Sequence, residues 1–104
     1  MLYDDQNIFA RIIRNELPAI KVYEDEQVLA FMDIMPQAEG HTLVIPKTPA
    51  ITLLDLPPDA AAYTIQIVQR IAQAMKIALD VQGIVLMQLS GASAGQTVPH
   101  VHFH

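Results

Sequence analysis

The chain has 104 residues, enough for one domain with a single core (1–104) and too few for two. It is 52% hydrophobic and 16% charged with a net charge of −5, and its six Lys and Arg form no stripe to hold a nucleic acid. No apolar run approaches the roughly 18–20 residues of a membrane span, which leaves no membrane partner to expect. Cysteine is absent, so disulfides and thiolate metal ligands are excluded. With an opening Met-Leu-Tyr-Asp-Asp that lacks the pattern of a secretory signal, this fits a cytoplasmic protein. A small phosphorylated ligand stays compatible with the acidic balance, because backbone N–H groups and imidazoles can hold one or two phosphates.

Asp4 and Asp5 lead into Ile8, Phe9, Ile12 and Ile13, an amphipathic pattern that predicts a short helix ended by Pro18. Ala19 to Glu24 and Val28 to Ile34 then read as two strands joined by a polar turn. His41 to Pro46 resumes the strand pattern after Gly40. The proline-rich stretch from Lys47 to Pro58 is a connection. Asp59 is placed to cap a long helix over Ala60 to Leu79. Ile65, Val68, Ala72, Met75 and Leu79 form one face of it, and Ile67, Ile71, Ala74 and Ala78 widen that face. So apolar a helix predicts cover from a partner subunit as well as from the sheet. Ile84 to Leu89 reads as a fourth strand, Ser90 to Thr97 as a loop with Gly91 and Gly95 at positive φ, and the C-terminal segment as a fifth strand. The expected fold class is α+β, with a five-stranded antiparallel sheet, a short N-terminal helix and a long second one.

That last segment carries His100, His102 and His104 at every second position, with Val101 and Phe103 between them. On a strand this spacing puts three imidazoles on one face and two apolar groups on the other. At strand rise the outer pair would stand about 13 Å apart, too far to share one ion, so no metal is expected. Two chemistries remain open: acid–base work by paired imidazoles, and attack on phosphorus by a neutral imidazole. Attack requires the far ring nitrogen to be protonated and held by an acceptor, leaving the other lone pair free.

The motif Ala94-Gly-Gln-Thr-Val-Pro-His-Val-His-Phe-His104 closely resembles the signature of the histidine triad (HIT) nucleotide hydrolases and transferases. Tyr23-Glu-Asp25, Ala30-Phe-Met-Asp-Ile-Met-Pro36 and Gly40-His-Thr-Leu-Val-Ile-Pro-Lys47 are similar to that family's upstream blocks, in the same order. The likeness covers nearly the whole chain and is nearest the phosphoramidate-hydrolysing branch.

The resemblance implies roles. His102 matches the nucleophile on the α-phosphorus, His100 the residue whose carbonyl orients it, and His41 a fourth, supporting histidine. His104 and Gln96 match phosphate contacts, and Thr97 matches the residue that positions the leaving group. Asp33 matches the ribose acceptor, Phe31 and Ile34 walls of the base pocket, and Ser90 and Gly95 further nucleotide contacts. The implied activity is hydrolysis of a nucleotide phosphoramidate or acyl-nucleotide, releasing a nucleoside 5′-monophosphate through a nucleotidyl-histidine. The alternatives are a dinucleoside polyphosphate hydrolase and a purine-nucleotide-binding module with little turnover. The family's members are generally homodimers, so a homodimer acting on a purine nucleotide is expected, with no cofactor. Three departures stand out. Leu89-Ser90 replaces an Asn-bearing segment. The cysteines and the histidine of zinc-binding relatives are missing, so zinc is not expected. The final strand normally runs past the third histidine, so either a tail is missing from the sequence as given or the strand is cut short at His104.

Overall fold

Local chemistry sets the ends of the first helix in the computed structural model, which describes residues 2–104. Helix α1 spans Ile8–Ile13, and Asn7 caps it by accepting the Ala10 N–H at 2.9 Å. The chain leaves this helix through Asn15 at φ 62°. Strands β1 (Lys21–Glu24), β2 (Val28–Met32) and β3 (Thr42–Pro46) follow, paired antiparallel in the order β1-β2-β3. Asp25 closes the first hairpin by accepting the N–H groups of Gln27 and Val28, both at 2.8 Å.

Alternation along β2 and β3 divides the apolar interior in two. Val28, Ala30 and Val44 face the long helix α2 (Pro58–Leu79), where they meet Ala50, Leu56, Ile67, Val68, Val101 and Phe103. Leu29, Phe31, Leu43 and Ile45 face the other way and pack on Phe9 and Ile12 of α1. Period-two sequence becomes a two-sided sheet, one helix to each side.

Helix α2 begins earlier than Asp59 implies. Pro57 occupies the cap position with no side-chain bond, and Pro58 supplies the first helical residue, where its missing N–H has no intrahelical acceptor to lose. Asp59 lies in the first turn, where its charge faces the positive end of the helix. The helix ends at Asp80 in the left-handed region, φ 51°. Only Thr64, Ile67 and Val68 are buried along it, and Ile77 is 83% exposed.

The expected five-stranded sheet is corrected to three strands among the described residues. The segment 100–104 touches β3 through one bridge, Val44 with Phe103, where each N–H reaches the other's carbonyl at 3.0 Å. Ladder groups on either side are spent elsewhere. Pro99 has no N–H, the His100 N–H bonds to the Val98 carbonyl, and the Val101 N–H bonds to the Ala50 carbonyl. Residues 84–89 in turn meet the histidine segment through one reciprocal pair, Met87 with His104, at 3.0 and 2.7 Å. Ile84, Val85, Leu86 and Met87 are all exposed. No helix among the described residues is long and apolar enough to cross a membrane.

Candidate active site

The alternation of the C-terminal segment holds even without a full ladder. Val101 and Phe103 enter the core against α2, and the histidines line the opposite face. His100 is completely buried and His102 is 4% exposed, against the edge of the Phe9 ring at 4.9 Å. His104 follows at 4.9 Å from His102, and His41 lies 5.3 Å from His104.

Hydrogen bonds fix the proton on each ring, because carbonyls only accept and backbone N–H groups only donate. The Pro46 carbonyl lies 2.7 Å from His100 Nε2, so that nitrogen donates and Nδ1 is the acceptor. The Tyr3 hydroxyl donates to it at 2.5 Å. The His100 carbonyl lies 2.6 Å from His102 Nδ1, so His102 is protonated there and bare at Nε2. The Gln37 N–H faces His41 Nδ1 at 3.1 Å, which places that ring's proton on Nε2, 3.1 Å from His104 Nδ1. His104 Nδ1 therefore accepts, and its own proton sits on Nε2.

Burial lowers the proton affinity of His100, His102 and His104 below the ordinary imidazole value. For His102 the bond to the His100 carbonyl opposes this shift, the neighbouring His104 adds to it, and Asp33 works against it. The result at neutral pH is a buried, uncharged ring with one lone pair free. That is the state a nitrogen nucleophile requires.

Asp33 joins this group through space. Its Oδ1 accepts the Met35 N–H at 2.9 Å, and Oδ2 stands 3.4 Å from His41 Nε2. One ligand atom each from Asp33, His41 and His104 lie within 4.8 Å of one another, close enough to consider a metal ion. The proton count argues against one. An ion on His41 Nε2 would displace its proton, and Nδ1 already faces an N–H donor, so the neutral ring would have nowhere to carry its hydrogen. As arranged, these residues do not fit a metal.

The remaining sequence candidates divide. Gln96 is committed within its loop: Oε1 accepts the Gly91 N–H at 2.7 Å, and Nε2 donates to the carbonyls of Ile51 at 2.6 Å and Val98 at 2.9 Å. Both of its N–H donors are used, so in this conformation Gln96 has none to offer a phosphoryl oxygen. Ser90 ties the same loop to the turn after β3 by accepting the Leu53 N–H at 3.2 Å. Gly91 and Gly95 adopt φ 97° and 104°, as a glycine-dependent turn requires. Thr97 is exposed. Phe31 is buried with its ring edge against Phe9 at 5.4 Å, whereas Ile34 is 90% exposed on the loop before His41. Tyr3, Phe9 and the Pro46 carbonyl were not legible as parts of the site. Tyr3 lies 97 residues from its partner, and no periodicity links them.

A family model described as the HIT domain matches residues 14–104. The chain belongs to the HIT family. A HIT-like protein from Bartonella henselae, described as involved in cell-cycle regulation, has a solved structure that superposes with a TM-score of 0.97 at 54% identity, covering 99% of this chain and 80% of that one. The adenosine 5′-monophosphoramidase HNT1 of Saccharomyces cerevisiae is 43% identical over 97 residues, 93% of this chain and 59% of its own length. The adenylylsulfatase HINT3 of Arabidopsis thaliana is 38% identical over 97 residues, 93% of this chain and 49% of its own length.

Proposed function

We propose that this HIT protein hydrolyses nucleotide phosphoramidates or acyl-nucleotides, releasing a nucleoside 5′-monophosphate. The observation that carries the reading is the bond from His102 Nδ1–H to the His100 carbonyl, which leaves Nε2 bare in a site where burial keeps the ring uncharged. His102 Nε2 attacks the α-phosphorus, the new N–P bond forms, and the bond from phosphorus to the leaving amine or acyl oxygen breaks. The imidazole becomes cationic, and the His100 carbonyl stabilises the proton it retains on Nδ1. His104 presents a protonated Nε2 and can donate a hydrogen bond to the leaving group, whose proton comes from solvent because a neutral imidazole cannot give up its one hydrogen. Water then attacks phosphorus, the N–P bond breaks, and the monophosphate leaves with His102 again neutral, while the proton lost by the water passes to solvent.

The relatives named for phosphoramidate and adenylylsulfate cleavage support a substrate with a good leaving group on the α-phosphate. Asp33, beside His41, fits a ribose hydroxyl, and exposed Ile34 fits an apolar wall over a purine. A dinucleoside polyphosphate is the alternative substrate. We also place the reaction in the cytoplasm and in a homodimer. The exposed apolar edge from Ile84 to Met87 and the exposed far half of α2 support a second copy as their cover.

A second reading, a purine-nucleotide-binding module with little turnover, is favoured by Gln96, whose two donors are both committed to the backbone. Incubation with adenosine 5′-phosphoramidate separates the two. Release of AMP supports the hydrolase, whereas AMP binding by calorimetry with no release from the phosphoramidate supports the module.

A further inference from the structure

Ahead of α1, the N-terminal segment reaches the histidine row through Tyr3, and that contact falls behind the nucleophile. Tyr3 is half-buried, and its ring meets the His100 ring edge-on at 5.6 Å. Its hydroxyl donates to Nδ1 of a histidine with no exposed surface. With Nε2 donating to the Pro46 carbonyl, the His100 ring is pinned at both nitrogens, to the end of β3 and to the N-terminal segment. The backbone of His100 is pinned too, by its N–H to the Val98 carbonyl at 2.9 Å. Its carbonyl is the acceptor that sets the proton position on His102.

We propose that Tyr3 is a positioning residue: its hydroxyl holds the His100 ring in a single tautomer and so aims the carbonyl that orients His102. Burial pushes the Tyr3 phenol above its ordinary value, so it remains an O–H donor at neutral pH. Without that donor, a buried ring nitrogen loses its one partner outside its own residue. The ring can then recover a partner only by protonating, exchanging tautomers or turning, and each change disturbs the pairing with Pro46. The kinetic consequence rests on the reading of His102 as nucleophile; the coupling to His102 does not.

The test is Tyr3→Phe, which deletes the hydroxyl and keeps the ring. In the native protein the His102 Nδ1–H, bonded to a carbonyl at 2.6 Å, gives a low-field proton resonance slowed in exchange with water. Tyr3→Phe is expected to shift or broaden this resonance. It should also slow the single-turnover rate on adenosine 5′-phosphoramidate about tenfold with KM unchanged. A single-turnover rate constant does not depend on how much of the variant is folded, so partial unfolding would lower the amplitude alone. An unchanged resonance together with an unchanged rate constant would overturn the proposal and leave Tyr3 as packing. If the native enzyme shows no turnover but the resonance still moves in Tyr3→Phe, the hydrolase reading fails and the positioning role stands.

Discussion

His102 gives its Nδ1 proton to the backbone carbonyl of His100, two residues earlier, across 2.6 Å. A strand places i and i+2 on the same face, so the spacing that exposes a row of imidazoles also brings each ring near the preceding histidine's backbone. The nucleophile and its orienting acceptor are therefore one local motif, which long-range packing then buries.

Burial of that motif predicts a pH profile. His102 is held below the ordinary imidazole value near 6.5 by desolvation, with His104 adding to the effect and the His100 carbonyl and Asp33 opposing it. The free-enzyme profile of kcat/KM for AMP release should stay flat from pH 7 down to about 6.5 and fall only in more acid solution. An acid limb centred above pH 7 would mean that the essential base is a different group.

The same shifts bear on stability. His100 and His102 bind a proton more weakly when folded than when unfolded, so the unfolded chain carries more protons below about pH 6.5. Their contribution is present above that value and is lost as pH falls toward their folded pKa. Urea midpoints should decline from pH 7 to pH 5. Replacement of His100 by Asn should flatten this slope.

Asp25 holds the first hairpin to α2. Burial works to raise its pKa, but the hydroxyls of Tyr63 and Tyr23 and the N–H groups of Gln27 and Val28 outweigh that and hold it at about 2. Asp25→Ala should cost about 2 kcal/mol in urea unfolding at pH 7, since it strips several donors from one carboxylate. The difference should shrink as pH falls from about 4 toward 2 and the native carboxylate protonates.

Gln96 offers a discriminating substitution. If its role is the clamp across Gly91, Ile51 and Val98, Gln96→Ala lowers thermal stability by about 1–2 kcal/mol and reduces turnover only modestly. Loss of turnover by more than a hundredfold with an unchanged melting temperature would show that the amide leaves the loop to meet the phosphate.

Gly40 precedes His41 at φ 80°, and a Cβ there would stand 2.6 Å from Leu79 Cδ1 at the end of α2. Gly40→Ala should destabilise the protein by about 1–3 kcal/mol through the strained backbone, with part of the steric clash relieved by movement of Leu79. Calorimetric melting of the variant against the native chain checks this.

Much of this architecture was legible in the sequence because it obeys a period. Val28 to Phe31 and Leu43 to Ile45 alternate between two packed faces as their order implies, and the histidine row does the same. What was not legible depends on partners distant in the chain. The C-terminal segment makes one bridge rather than a ladder because the His100 and Val101 N–H groups bond to Val98 and Ala50, and residues 84–89 meet it only through Met87 and His104. Asp59 looked like a cap by residue type, but Pro58 opened the helix two residues sooner. Asp33 entered the sequence reading only through the resemblance, as a ribose acceptor, and its approach to His41 at 3.4 Å comes from folding. Tyr3 and Phe9 carry no motif at all, yet one pins His100 and the other walls His102.

AMP release from adenosine 5′-phosphoramidate, compared between the native protein and His102→Ala, bears most directly on the role of the row. With His102 as the nucleophile, the native protein turns over and the variant falls to background while still binding AMP. Equal turnover in both would contradict the assignment and move the chemistry away from the histidine row.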